Sequence, residues 1–394
     1  DVGASIVSRP VSACAAWAEA PLTAPHGAQA AALAGLLDRR PTSGGADDVC
    51  CAAKFGVVFS KAAAMPAAAG ASPGKPAAIR QLGQGDALAQ LYKLGQHLSE
   101  RSHAADAVQE AVRCTDAFPV VIKTHCKRSL GQDLRERKTV MSQLLAMPPS
   151  PHVLGIAEIL EDAANLYMIT PRCEGGTLQR FVQERRCQIF ESDVRSITGQ
   201  ILEGLDSLHR SGIIHMDVKP DNIMFHWAPE VVSAQRPLVK IIDFDLCQSW
   251  VMGRPPGECF CGTPGYIAPE ALLGAVSPQG DLWSVGAVLF LLMTGEIPWP
   301  DLAARLGATM DEEDCQVCGP GAKRLHVAMR RALPWDAPPW PDFHLGRDLC
   351  QKLLAFEPRD RPWSAQQALR HRWLAFPAED RPVLWSRARA PSRA

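Results

Sequence analysis

Two patterns of apolar and polar positions divide the chain. Between residues 79 and 171, β-like apolar runs such as Val120–Ile122 and Leu166–Ile169 flank one helical stretch, Asp133–Met147. From about residue 177 to residue 374 the apolar positions recur mainly with a helical period. The helices predicted in this part are Asp193–His209, Asp281–Thr294 and Ser364–Leu374. A strand-rich piece followed by a helix-rich piece predicts an α+β, bilobal fold with a ligand cleft where the two pieces meet.

Shifts in composition mark the ends of the folded unit. Residues 1–76 are rich in Ala, Pro, Gly and Ser and hold no sustained period of 2 or 3.6, so we predict an extension that is mostly disordered. Residues 77–375 form the predicted folded unit, and residues 376–394 form a basic tail. The apolar run Val285–Met293 has about half of the roughly 20 residues that a membrane helix needs, so it predicts a buried core helix and no membrane span.

Composition and charge narrow the classes of partner. With 394 residues, 47% of them hydrophobic and 21% charged, the chain can bury a large core, which excludes disorder throughout. Lys and Arg total 41 against 42 Asp and Glu, so no global field favours nucleic acid, and no nucleic-acid partner is expected. Thirteen cysteines scattered along a long chain indicate reduced thiols and predict a cytoplasmic or nuclear location.

Three short motifs follow one another with a distinctive spacing. They are His-Met-Asp-Val-Lys-Pro-Asp-Asn at residues 215–222, Asp-Phe-Asp at residues 243–245 and Ala-Pro-Glu at residues 268–270. The ordered series resembles the eukaryotic protein kinases of the Ser/Thr type over about residues 79–375. The run Cys261–Glu270 is most similar to the calcium/calmodulin-dependent kinase group. The resemblance implies a small β-rich N-lobe, about residues 77–171, and a larger helical C-lobe, about residues 172–375.

Phosphoryl transfer explains why these residue types are needed. A carboxylate must orient the acceptor hydroxyl, cations must offset the developing charge, and oxygen ligands must hold Mg²⁺ on the phosphates of ATP. The resemblance makes Asp217 the catalytic carboxylate, Lys219 the lysine at the transferred phosphate, and Thr263 their hydrogen-bonding neighbour. Asn222 and Asp243 match the metal ligands, since amide and carboxylate oxygens suit Mg²⁺. The implied cofactors are ATP and Mg²⁺, and the implied partner is a protein with a Ser or Thr acceptor.

A strand lysine should hold the α and β phosphates. Lys123 closes the apolar run that begins at Val120, and by resemblance Val121 lies over the adenine. The expected glutamate partner lies on the next helix, where we assign Glu136. The family spacing between this glutamate and the following strand favours a position one or two residues later on the helix, where Arg137 and Lys138 stand.

The rest of the nucleotide site is predicted from two further segments. The glycine-rich loop is assigned to residues 82–88, which implies an insertion around residues 96–115 before Lys123. Residues 165–176 resemble the strand and hinge between the lobes, with a small gatekeeper and backbone groups for the adenine edge. The additional ATP-binding residues predicted here are Leu82, Gly83, Gln84, Gly85, Thr170, Pro171, Cys173 and Met224.

Two architectural pairings are also expected. By resemblance, Asp281 at the start of the central helix supports the catalytic loop. Arg361 is the expected buried partner of Glu270.

Departures from the family pattern bear on activity and control. Met216 replaces an Arg that clamps a phosphate, and Ser249 is the only hydroxyl residue between Phe244 and Gly262. These features predict activity that is independent of phosphorylation of the activation segment. Asp245 replaces the usual Gly after Asp-Phe, and a nucleotide-binding pseudokinase that acts as a scaffold or allosteric partner is the alternative to an active enzyme.

Further control sites stay open at this stage. Cys259 and Cys261 beside Thr263 offer redox control as an alternative to constitutive activity, whereas the pair Cys315 and Cys318 is read as reduced thiols rather than a zinc site. The basic stretch Lys323–Arg331 has the character of a calmodulin target, so calmodulin stays open as a partner, although its place inside the lobe favours a surface helix.

Overall fold

The structure is a computed structural model that describes residues 78–83, 88–98, 106–185, 189–226, 237–251, 262–302, 304, 320–375 and 381–385. The predicted extension 1–76, the loop residues Gln84 and Gly85, and all four cysteines of the two pairs lie outside these ranges. Among the described residues, no helix is both long and apolar enough to cross a membrane.

Strands dominate the first lobe. Of the twelve strands among the described residues, the six of the first lobe form one sheet in the order β1-β5-β6-β4-β3-β2, in which only the β1–β5 pair is parallel. The remaining six form two-stranded pairs, β8 with β11, β9 with β10 and β7 with β12. The strands are β1 Arg80–Gln81, β2 Tyr92–His97, β3 Asp106–Arg113, β4 Pro119–Cys126, β5 Glu158–Glu161, β6 Asn165–Pro171, β7 Ile189–Phe190, β8 Ile213–Ile214, β9 Ile223–Phe225, β10 Val239–Ile241, β11 Gln248–Ser249 and β12 Pro382–Val383.

Helices build the second lobe, together with one main helix, α3, that packs in the first. Short 3-10 turns cover Gly131–Asp133, Pro220–Asn222, Pro269–Leu273, Trp340–Asp342 and Pro358–Asp360. The α-helices are α1 Leu88–Leu91, α2 Lys127–Leu130, α3 Leu134–Ala146, α4 Leu178–Arg185, α5 Glu191–Arg210, α6 Pro278–Thr294, α7 Pro320–Ala328, α8 His344–Leu353, α9 Ala365–Leu369 and α10 Arg372–Ala375. The predicted α+β fold, with a β-rich first lobe and a helical second lobe, is therefore confirmed.

The central helix α6 is buried on all sides, as its apolar run predicts. Pro278 occupies the first turn, where its missing N–H costs nothing, and the helix ends at Gly295 with φ +80°. A Cβ atom at Gly295 would come within 2.9 Å of the Trp385 ring, whose indole N–H donates to the Leu292 carbonyl at 3.1 Å. The C-terminal segment therefore closes over the end of the helix.

One predicted helix differs in the structure. The stretch Ser364–Leu374 is interrupted, and forms α9 and α10 instead. Ser364 caps α9 by accepting a hydrogen bond from the Gln367 N–H at 3.1 Å. The interruption directs Trp373 into the core, where its indole N–H donates to Glu191 at 2.7 Å.

A buried ion pair joins the turn at Glu270 to the turn that precedes α9. Arg361 donates to both carboxylate oxygens of Glu270, at 2.6 and 2.7 Å. It also donates to the carbonyls of Ala355, Phe356 and Gln279. The predicted pairing is confirmed, and a planar guanidinium suits this bidentate geometry.

Replacement of this arginine is expected to destabilise the whole lobe. Arg361→Met leaves the Glu270 carboxylate and three carbonyls without their donor, so we expect a loss of about 3–5 kcal/mol in the free energy of unfolding. Urea unfolding followed by tryptophan fluorescence measures it. Arg359→Met, at an exposed position in the same turn, is the matched control. Equal unfolding midpoints for the two variants would contradict the expectation.

Candidate active site

The predicted catalytic residues form one hydrogen-bonded network. Thr263 Oγ1 donates to Asp217 Oδ1 at 2.6 Å, and Lys219 Nζ donates to Thr263 Oγ1 at the same distance. Lys219 Nζ also lies 3.0 Å from Asp217 Oδ2. Asp217 and Lys219 are 3% and 4% exposed, so the network is shielded from water. The structure thus brings the Asp217 carboxylate and the Lys219 ammonium into contact with each other and with the Thr263 hydroxyl.

A second buried carboxylate holds the backbone of this loop, as the sequence predicts. Asp281 accepts from the N–H groups of His215 and Met216 at 2.9 and 2.8 Å, and its Oδ2 lies 2.8 Å from His209 Nε2. Met216 adopts φ +66°, a left-handed conformation that costs a non-glycine residue free energy. The two hydrogen bonds to Asp281 maintain that conformation, which orients Asp217 one residue later.

The two predicted metal ligands fit a hard cation. Asn222 is fully buried, and its Nδ2 donates to the backbone oxygen and to Oδ2 of Asp217 at 2.9 and 2.8 Å. Its amide oxygen, also buried, has no hydrogen-bond partner among the described residues. Asp243 adopts φ +62°, and its side chain is 1% exposed. A buried amide oxygen without a donor and a carboxylate are the oxygen ligands that Mg²⁺ takes.

Lys123 is paired, but with different residues than expected. Its ammonium lies 2.6 Å from Asp243 Oδ1 and 2.5 Å from Asp245 Oδ2. Glu136, the predicted partner, is exposed on α3, so this assignment is corrected. The side chain one residue later, Arg137, faces the Asp-Phe-Asp segment instead. A shift of one residue turns a helix position by about 100° at 3.6 residues per turn, which moves Glu136 off the buried face.

The assignment of the glycine-rich loop is also corrected. Leu82 and Gly83 follow β1, which lies at the edge of the sheet beside β5 and away from β3. Leu82 packs against the cluster that contains Ile122. Because successive strand residues point to opposite faces, this is the face away from Lys123. The predicted insertion at 96–115 holds the β2–β3 hairpin instead.

The strand order moves the expected place of the glycine-rich loop to the connection between β2 and β3. In protein kinases a glycine-rich loop covers the phosphates ahead of the lysine strand. Here the strand of Lys123, β4, pairs with β3, and β3 pairs with β2 through a hairpin that residues 98–105 connect. These eight residues read Leu-Ser-Glu-Arg-Ser-His-Ala-Ala and contain no glycine.

The predicted adenine pocket lies at the junction of the lobes. Thr170 pairs with Val121 across β4 and β6, and both side chains are buried. Pro171 ends β6, and Met224 on β9 is 9% exposed and paired with Thr177. Burial raises the pKa of the Cys173 thiol to about 11, so the thiol is neutral. Met224 and Cys173 also pack in the same hydrophobic cluster.

The segment after Asp-Phe-Asp continues as a strand. β11 pairs with β8, which immediately precedes the catalytic loop, and the Trp250 N–H donates to the Gly212 carbonyl at 2.7 Å. The exposed Ser249 hydroxyl accepts from Gln143 of α3 at 3.0 Å. Described residues of the segment are therefore held by strand pairing, a backbone hydrogen bond and one side-chain hydrogen bond.

The sequence interpretation missed two site residues, Arg137 and Asp245. Arg137 donates to the backbone carbonyls of Phe244, at 2.9 Å, and Asp245. Asp245 is noted in the sequence as a replacement of Gly that adds a charge near the metal, without a contact to Lys123. For Arg137, the signal is the family spacing, which favours a helix register that contains it.

This fold and this network define a protein kinase. A family model of the protein kinase domain matches residues 104–374, and the chain belongs to that family. Among curated relatives, calcium-dependent protein kinase 14 of Arabidopsis thaliana is 28% identical over 74% of this chain and 50% of that protein. Sperm motility kinase Z of Mus musculus is 30% identical over 61% of this chain and 42% of that protein.

A human relative supports the same grouping. Calcium/calmodulin-dependent protein kinase type 1B of Homo sapiens is 30% identical over 60% of this chain and 62% of that protein. The predicted resemblance to calcium/calmodulin-dependent kinases is therefore confirmed. The chain spans about half the length of the curated relatives that it matches.

Proposed function

We propose that the chain is a Ser/Thr protein kinase that transfers the γ-phosphoryl group of ATP to hydroxyl groups of a protein substrate. The observation that carries this proposal is the buried network of Asp217, Lys219 and Thr263, joined to Asn222. Burying two charges and two polar groups together is costly unless every member of the network is paired. A site without a function would therefore not be expected to hold such a network.

Each residue of the network has a step in the reaction. Asp217 accepts the hydrogen bond of the acceptor hydroxyl and orients its oxygen toward the phosphorus atom. Lys219, 3.0 Å from Asp217, offsets the negative charge that develops on the transferred group. Mg²⁺, held by Asn222 and Asp243, would neutralise the phosphate charge. Lys123 would contact the phosphates from the N-lobe side.

Specificity for Ser and Thr is supported by Lys219, which stands two residues after Asp217 and shares Thr263 with it. By resemblance, this arrangement belongs to Ser/Thr kinases. Two basic peptides that differ only in a Ser or Tyr acceptor test the proposal. Preferential phosphorylation of the Tyr peptide would contradict it.

The decisive assay is Mg²⁺-ATP turnover on a generic basic Ser/Thr substrate. Asp217→Asn is expected to remove turnover, because the amide cannot accept the hydroxyl proton. Asp336→Asn, at an exposed position, is the matched control and should retain wild-type activity. Comparable activity in Asp217→Asn and the wild type would contradict the assigned role.

A nucleotide-binding pseudokinase is the second candidate. The observation that favours it is the glycine-free sequence of residues 98–105, since bulkier residues restrict how closely a backbone approaches phosphates. Nucleotide binding without turnover on any basic Ser/Thr peptide would support this candidate over the active enzyme.

Activity is expected to be independent of a phosphate on the activation segment. A phosphate adds about −1.5 to −2 charge and needs Arg partners, and the catalytic loop offers Met216 instead. Protein treated with phosphatase, and Ser249→Ala, should therefore keep nearly all wild-type activity. Loss of most activity, with mass spectrometry placing the lost phosphate between residues 246 and 261, would contradict this expectation.

Calmodulin gains no support from the basic stretch near α7. Ala322 and Leu325 on this helix are buried, and the helix packs against the turn Pro269–Leu273. A calmodulin target presents its apolar face to its partner, and this face is already covered.

A further inference from the structure

The ammonium of Lys123 lies between two carboxylates. Asp243 Oδ1 is 2.6 Å away and Asp245 Oδ2 is 2.5 Å away, and the three side chains are 11%, 1% and 12% exposed. A buried ammonium needs close acidic partners, and these two contacts provide them.

Only one of these carboxylates is free to stay with the lysine during the reaction. Asp243 is the predicted metal ligand, so its carboxylate would be shared with Mg²⁺ when the nucleotide is bound. Asp245 is two residues later and has no such role. A lysine has a flexible four-carbon stem and needs a fixed partner to hold its ammonium in place. Asp245 supplies that partner.

Arg137 in turn holds the segment that carries Asp245. Its guanidinium donates to the carbonyls of Phe244 and Asp245, and Nη1 lies 3.9 Å from Asp245 Oδ1. The Arg137 side chain is 9% exposed. His125 Nε2 lies 3.6 Å from the same carboxylate oxygen. The carboxylate of Asp245 therefore lies among the Lys123 ammonium, the His125 imidazole and the Arg137 guanidinium.

The helix that carries Arg137 is well anchored. Val140 and Met141, three and four residues later, are 1% and 0% exposed, so Arg137 lies on the face that packs into the lobe. A glutamate at this position would face two carbonyl oxygens and the Asp245 carboxylate, an arrangement of like charges. Arg137 and Asp245 therefore fit each other. The family resemblance leads one to expect a glutamate on the helix and a glycine after Asp-Phe; Arg137 does not suit that glycine, and Asp245 does not suit that glutamate.

We propose, on the basis of the kinase activity proposed above, that Asp245 and Arg137 are positioning residues for Lys123. The negative charge that the resemblance expects on the helix lies on Asp245 instead, and the helix carries a positive charge, Arg137, in its place. The carboxylate that holds Lys123 has moved from the helix to the Asp-Phe-Asp segment, and the helix bears the arginine that secures it. A single exchange accounts for both the missing helix glutamate and the missing glycine.

A reciprocal exchange tests this linkage. Asp245→Gly and Arg137→Glu are each expected to lower kcat/KM for ATP about tenfold or more, as loss of one preorganised electrostatic contact does. The double variant Arg137→Glu/Asp245→Gly restores a helix glutamate and a glycine, and should return to within about threefold of wild type, the signature of coupled residues in a double-mutant cycle. KM for the peptide should stay unchanged.

Two further variants separate positioning from folding. Asp245→Asn keeps the shape of the side chain without its charge, and should lose activity while its thermal unfolding still shows a cooperative folded state. Arg135→Glu reverses a charge at an exposed position of the same helix, and should behave like wild type. A double variant no more active than the worse single variant would overturn the proposal, as would an Asp245→Gly or Asp245→Asn protein with wild-type or higher activity.

Nucleotide affinity separates this proposal from the proposed function. If the wild type binds Mg²⁺-ATP without turnover, the kinase activity fails, and the affinities of the same variants for Mg²⁺-ATP decide the linkage. Weakened binding in both single variants with recovery in the double variant would support it, and equal affinities would overturn it. A wild type that binds no Mg²⁺-ATP would overturn both.

Discussion

Asp243→Asn is expected to abolish phosphoryl transfer while the protein stays folded. The amide removes one negative charge from the pair of predicted metal ligands, so Mg²⁺ on the phosphates loses its charged protein ligand. The Lys123 ammonium keeps its contact with Asp245 at 2.5 Å, so the buried cation is not left unpaired. Steady-state turnover of a basic Ser/Thr peptide measures the loss.

The expected result for this variant has a clear control. Asp348→Asn changes a half-exposed carboxylate on α8, where it pairs with Lys352, and should leave turnover unchanged. Far-ultraviolet circular dichroism and the thermal midpoint establish that Asp243→Asn is folded. Wild-type turnover in folded Asp243→Asn would falsify its assignment as a metal ligand.

Lys123→Met is expected to lower kcat by at least about 10²-fold, in line with loss of a cation that positions phosphates in a buried site. Methionine approximates the length of the lysine stem, so the loss reports the charge. The same substitution leaves Asp243 and Asp245 facing each other without their shared cation, and repulsion between them should also weaken binding of the nucleotide phosphates. Peptide turnover and Mg²⁺-ATP affinity measure the two effects.

Lys93→Met is the matched control, because Lys93 is exposed on β2 of the same sheet. It should retain wild-type kcat. A loss in Lys123→Met smaller than about threefold would mean that another lysine holds the phosphates.

The catalytic loop could be predicted residue by residue because its roles lie close together along the chain. Asp217, Lys219 and Asn222 span six residues, and their spacing alone places one carboxylate, one cation and one amide on a single loop. The structure joins them through hydrogen bonds of 2.6 to 3.0 Å. Thr263 is predicted as well, by the resemblance of the Gly-Thr-Pro-Gly-Tyr run at residues 262–266 to Ser/Thr kinases.

The contacts of Lys123 depend on residues far apart in the chain. Asp243 and Asp245 follow it by more than 100 residues, and Arg137 reaches them from a helix whose rotation differs by about 100° between neighbouring positions. Periodicity favoured Glu136 and the family spacing favoured Arg137 or Lys138, and the packing of Val140 and Met141 places Arg137 on the buried face.

The amino-acid sequence by itself determined the two-lobe architecture, the catalytic loop, the buried central helix and the Arg361–Glu270 pair, because each depends on local periodicity or on a motif with fixed spacing. Only the tertiary structure decided the order of the strands around β4 and which carboxylates pair with Lys123. The order of strands in a sheet is set by long-range pairing, so the segment assigned to the glycine-rich loop matched a motif although its described residues, Leu82 and Gly83, follow β1 at the far edge. The physical reason is that a short sequence motif determines which chemical groups are present, whereas burial and strand pairing between distant segments determine where those groups lie in the fold.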